Sequence, residues 1–120
     1  MKNEVIPYLH QLTETGQTEF LRKLEAQLAK DLYPAEWGEM ATEPNPQSLV
    51  SQLHHAVSQL IQTHGNSLGQ VLYRIDIPEG KIRSLMAATP EDERVPTLAG
   101  QILEREAKKV WLRMQFSQDS

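Results

Sequence analysis

The sequence predicts an all-α protein: a compact bundle of five or six helices with a long C-terminal helix, with residues 1–120 as one domain. Three observations predict it. Apolar residues recur at steps of three and four over most of the chain, the spacing of one helical face. Most prolines, glycines and capping residues fall between those stretches, although Gly100 weakens the last helix near its start. Only one short segment alternates with period two, and a lone strand has nothing to pair with.

The last helix carries the clearest stripe: Leu98, Ile102, Leu103, Ala107, Val110 and Met114. Acids (Glu91, Asp92, Glu93) precede it and bases (Lys108, Lys109, Arg113) crowd its far end, an arrangement that suits the helix dipole. Glu104 and Lys108 form an exposed i,i+4 pair. Thr89-Pro90-Glu91-Asp92 resembles a capping box. Pro96 would clash inside a continuous helix. The spacing therefore predicts one turn at 90–94, a long helix from Val95 to Phe116, and a frayed tail at 117–120.

Asn3 can cap a short first helix that reaches Thr13, with Val5, Leu9 and Leu12 facing inward and Thr15-Gly16 as its break. The second helix is predicted from Gln17 to Tyr33 on the stripe Phe20, Leu21, Leu24, Leu28 and Leu32. Arg22, Lys23, Glu25, Lys30 and Asp31 fall outside that stripe and read as a solvated face. Residues 34–45 read as a loop, rich in proline and poor in apolar residues. Asn45-Pro46 opens the third helix, a cap followed by a first-turn proline, and Gly65 stops it. Leu49, Val50, Leu53, Ala56, Val57, Leu60 and Ile61 form its inner face. Its other face is polar but uncharged (Ser51, Gln52, His54, His55, Ser58, Gln59, Gln62). That face suits solvent, or a helix contact where charge would have to be desolvated.

Residues 66–77 fit two periods. Val71, Tyr73, Ile75 and Ile77 alternate like a strand, while Leu68, Val71, Leu72 and Ile75 form a helical stripe with Asn66 as cap. The missing partner strand decides for a helix over 67–76. Pro78 then opens a short helix holding Ile82, Leu85 and Met86, with Asp76 as its cap.

Composition narrows the function classes. The chain has no cysteine, so disulfides, thiolate metal sites and cysteine nucleophiles are excluded. No apolar run approaches a bilayer span, and Met1-Lys2-Asn3-Glu4-Val5-Ile6-Pro7 has no signal-peptide core, so a cytoplasmic protein with no membrane partner is expected. The net charge of −4 argues against a nucleic-acid partner. Residues 44–73 contain no Lys, Arg, Asp or Glu at all.

Few residues suggest chemistry. His54 and His55 are adjacent, so they diverge on a helix. A metal held by His10 and a third-helix histidine would need a long-range coincidence, and no cofactor or metal is expected. Gly65-Asn66-Ser67-Leu68-Gly69 lacks the lysine and strand of a phosphate loop. No serine sits in a nucleophile elbow, so no catalytic residue is assigned. Five residues stand out as possible partner contacts. Trp37 is the one aromatic side chain in its loop, either a plug on the core edge or a binding anchor. Arg105, Lys109 and Arg113, spaced by four, form a basic ridge that reads first as a solvated face balanced by Glu104 and Glu106. Trp111 lies beside the main stripe and, with Leu112 and Phe116, extends a self-association surface.

The stretches Leu72-Tyr73-Arg74-Ile75-Asp76-Ile77-Pro78-Glu79 and Gln101-Ile102-Leu103-Glu104-Arg105-Glu106 resemble segments of short uncharacterised bacterial proteins. That resemblance implies no activity and no site. The sequence thus favours a non-catalytic interaction or accessory protein, with an unknown protein partner or a second copy. The basic ridge leaves nucleic-acid association as the alternative, and a small enzyme comes last.

Overall fold

A computed structural model describes residues 6–33, 35–38, 45–63 and 65–118. Among them five α-helices follow one another: α1 (Glu14–Asp31), α2 (Pro46–Thr63), α3 (Gly65–Ile75), α4 (Glu79–Ala87) and α5 (Arg94–Gln118). Two 3-10 turns, Leu9–Gln11 and Glu91–Glu93, precede α1 and α5. No strand occurs among the described residues, so the disputed segment is helical.

α5 packs against each of the other four helices. Its stripe is the axis of the core. Leu98 and Ile102 are wholly buried, and so are Phe20, Leu24 and Leu28 of α1, Leu53 and Val57 of α2, and Val71 and Ile75 of α3. Leu103 and Val110, expected at the centre, are buried as well. Ile82 brings α4 onto the same core.

The first expected helix is the main departure. Asn3 and Val5 lie outside the described residues, and only the single turn Leu9–Gln11 forms. Thr15-Gly16 does not break a helix. It lies inside the first turn of α1, because Thr13 Oγ1 caps that helix by accepting from Gly16 N–H at 3.2 Å. Ile6, absent from the expected inward face, is buried.

Four expected helix-end signals also differ. Gly65 opens α3 instead of closing α2, and Asn66 lies inside α3. Asp76 does not cap α4, whose cap position is Pro78 with no side-chain bond. Asp76 instead takes a left-handed backbone (φ 75°) just past α3. Ile77 N–H bonds to Leu72 O and Asp76 N–H to Tyr73 O, a Schellman closure. Thr89 does not form the capping box. Its hydroxyl donates back to Leu85 O at 2.6 Å. Arg94 Nε adds bonds to Met86 O and Thr89 O, so the start of α5 closes the end of α4. Pro96 is the third residue of α5, where first-turn N–H groups have no partner inside the helix, so no kink is needed. The helix extends to Gln118, two residues beyond the expected end; residues 119–120 lie outside the described set.

The uncharged face of α2 has a local use. Gln59 Oε1 accepts from Glu36 N–H at 2.9 Å, and Gln52 Oε1 accepts from Gly38 N–H at 2.7 Å. These amides tie residues 35–38 to α2. Pro34 and residues 39–44 of the expected loop lie outside the described residues.

Candidate functional site: a buried charge triad between α1 and α5

The spacing of four that marks Arg105, Lys109 and Arg113 is matched on α1 by Gln27 and Asp31. Lys109 meets Asp31, and Arg113 meets Gln27. The rising order on one helix pairs with the falling order on the other, so the two helices run antiparallel along this seam. The ridge therefore does not stand free in solvent.

The seam holds a continuous polar network. Arg113 donates to Gln27 Oε1 at 3.0 Å, and Gln27 Nε2 donates to Asp31 Oδ2 at 2.7 Å. Lys109 Nζ donates to the same Asp31 oxygen at 3.1 Å. That ammonium also lies 2.9 Å from Glu106 Oε2, one turn back on its own helix. Asp31 and Glu106 are both buried, Glu106 completely. Their expected place on solvated faces is thus corrected. Arg105 reaches the other way, to Asp76 Oδ2 at 2.9 Å. Arg74 Nη1 bonds to the carbonyls of Asp31 and Tyr33, which fixes the end of α1 beside the triad.

Three ionisable groups this close cannot all be charged without leaving one unmatched. Burial drives Glu106 towards its neutral form, and the neighbouring Asp31 carboxylate adds to it. The Lys109 ammonium opposes both, and the balance raises Glu106 from 4.5 to about 8. Burial alone would also raise Asp31. The bonds from Gln27 and Lys109, with the neighbouring Glu106 carboxyl, outweigh it and hold Asp31 below its ordinary value. Burial would lower Lys109, but its two acidic neighbours raise it. At neutral pH the triad is therefore Asp31 carboxylate, Lys109 ammonium and protonated Glu106, with no net charge. Neither Glu106 oxygen has a well-aligned hydrogen-bond partner among the described residues, so the buried carboxyl lacks the donors that a carboxylate needs.

A carboxyl with a near-neutral pKa is an acid–base candidate on electrostatic grounds. Glu106 has no exposed surface, however, so a reacting molecule does not touch it in this conformation. What the triad can do is couple packing to pH. Glu106 releases its proton near pH 4.5 when unfolded and near pH 8 when folded. Between those values the folded chain holds the extra proton. Its contribution to stability is complete below about pH 4.5 and is lost as pH rises to about 8, at up to about 1.4 kcal/mol per pH unit. Asp31 acts only below its ordinary value, and Lys109 only above its own. Calorimetry from about pH 5 to 8 should show this decline, and Glu106→Gln should remove it. Stability that is no more pH-dependent in the wild type than in Glu106→Gln would contradict the assignment.

The remaining sequence candidates take structural positions. Trp37 is half-buried against the core, and its indole N–H donates to Glu25 Oε2 at 3.1 Å. Glu25, read as solvated, is itself buried. Trp111 stacks on Tyr8 with ring centres 5.0 Å apart and meets Phe20 edge-on at 6.5 Å. It fastens the N-terminal turn and is not a free ring. Leu112 and Phe116 are exposed. His10 and His55 are exposed and His54 is half-buried; His64 lies outside the described residues. Among the described residues no three His, Asp or Glu side chains are grouped to hold a metal ion. No described helix is long and apolar enough to cross a membrane. Beside the triad, α1 and α5 enclose an open groove of about 530 Å³ with Ala26, Val110 and Met114 on its wall and Lys23, Lys30 and Arg113 around it.

Sequence reasoning missed Gln27, Asp31 and Glu106. Glu106 carried a readable signal. It is four residues after Ile102 and four before Val110, so it interrupts the stripe it belongs to. No protein-family model, no curated protein and no solved structure matches this chain.

Proposed function

We propose that this chain is a non-catalytic interaction protein that associates with a second copy of itself through the outer end of α5. One observation carries the reading. Leu112 and Phe116 are one turn apart on the longest helix and are 41% and 69% exposed. An apolar pair at i,i+4 is the unit by which a helix end packs on a like surface. A two-fold contact sets each pair against the other, because a two-fold interface uses the same patch on both copies. Trp111 is committed to Tyr8 and Phe20, so the surface is narrower than the sequence suggests. The nucleic-acid alternative gains less support. Arg105, Lys109 and Arg113 are engaged with Asp76, with Asp31 and Glu106, and with Gln27, respectively.

Sedimentation velocity over a concentration series tests the proposal. The wild type should shift from monomer to dimer, and Leu112→Glu with Phe116→Glu should remain monomeric with unchanged helicity. A wild type that is still monomeric at about 1 mM would remove the self-association reading.

A further inference from the structure

A second cleft, of about 650 Å³, opens where the N-terminal turn, the α3–α4 corner and the middle of α5 meet. Three cations line it: Lys81 from the first turn of α4, and Arg105 and Lys108 from α5. Tyr8 and Gln101 add neutral polar groups. Two acids share the lining, Asp76 and Glu104. Asp76 is matched by Arg105 at 2.9 Å. Lys81 and Lys108 form no ion pair among the described residues, so the Glu104–Lys108 pair expected from the spacing is not made. Arg105 Nε has no acceptor among them but is buried, so it does not face the cleft.

The backbone points to the same place. The two non-glycine residues described with a left-handed backbone, Tyr8 (φ 72°) and Asp76 (φ 75°), both border this cleft. For Asp76 the helix closure explains the conformation. An aromatic residue is rare there, and such strain persists where the surroundings enforce it, often at binding sites. The stack of Tyr8 on Trp111 is the enforcing contact.

We propose that this cleft binds a small phosphomonoester, its dianionic head held between Lys81, Lys108 and Arg105. Glu104 offsets part of the positive charge for any anion, and a dianion draws about twice the attraction of a single carboxylate from the cations that remain. The three oxygens of a phosphate head can meet both lysines and the Arg105 guanidinium together. The volume falls within the range of small-molecule sites and leaves room for an organic group on the phosphate. An extended polyanion fits worse. It needs a longer run of cations and would meet Asp76 and Glu104.

The test is an amide NMR titration of the whole chain with phenyl phosphate, with benzoate as monoanion and a short single-stranded oligonucleotide as polyanion. Phenyl phosphate should shift Tyr8, Lys81, Gln101 and Lys108 saturably, with a Kd of about 1 mM or tighter. Lys81→Gln with Lys108→Gln should weaken it at least about tenfold. Both side chains are exposed, so the fold should survive the change. Lys23→Gln with Lys30→Gln, at the other groove, should leave it unchanged. Glu104→Gln should tighten it, a gain that damage to the fold cannot mimic. Scattered or unsaturable shifts, binding kept in the cleft variant, no gain in Glu104→Gln, or benzoate or the oligonucleotide binding the same residues more tightly, would each overturn the proposal.

Discussion

Lys109→Met should destabilise the fold by about 3 kcal/mol, although the residue reads from sequence as part of a solvated ridge. The change keeps the aliphatic stem and removes the ammonium. Asp31 then loses the charge that holds it ionised beside Glu106, and a buried charge without its partner is costly. The low end of the usual range applies because Lys109 is 22% exposed, so water partly replaces it. Glu106→Leu should behave differently. It removes a carboxyl already neutral and leaves Asp31 and Lys109 paired, so the cost should be near zero or negative. Urea melts of the two variants decide it. Equal losses, or a Lys109→Met loss below about 1 kcal/mol, would show that the seam is wet and the ridge solvated.

Phe20→Ala should cost about 4 kcal/mol, the second large effect. Phe20 has no exposed surface and supports Trp111 edge-on, while Trp111 in turn holds Tyr8. Removing the ring leaves a cavity and frees the stack that docks the N-terminal turn. The melt should be accompanied by a change in the tryptophan fluorescence of the folded state. A loss under about 2 kcal/mol would mean that the site collapses around the gap, and that the aromatic cluster is not central to the fold.

The helical class was legible because the α1, α2 and α5 stripes are long; α3 fitted two periods and was decided by the missing partner strand. The first helix was not, because its evidence was a cap at Asn3 and three apolar positions, while the deciding contact is Trp111 on Tyr8, distant in sequence. Thr15-Gly16 looked like a break because glycine weakens a helix interior, yet glycine in a first turn costs little once Thr13 caps it. The site was half legible. The spacing of Arg105, Lys109 and Arg113 was plain, and so was their shared side. That this side faces α1 depends on the antiparallel pairing of two helices distant in sequence, which periodicity within one helix does not encode. Charged residues also default to solvent in any sequence reading. Asp31 and Glu106 violate that default together, Asp31 made tolerable by Lys109 and Gln27 and Glu106 by holding its proton.

The seam therefore stands or falls on the protonation of one side chain. A carboxyl carbon-13 titration of Glu106 in the folded protein measures it directly. The predicted midpoint is about 8, with Glu106 protonated at neutral pH. A midpoint near its ordinary value of 4.5 would show a solvated or fully ion-paired carboxylate, and would contradict the buried neutral triad on which the account of α1 and α5 rests.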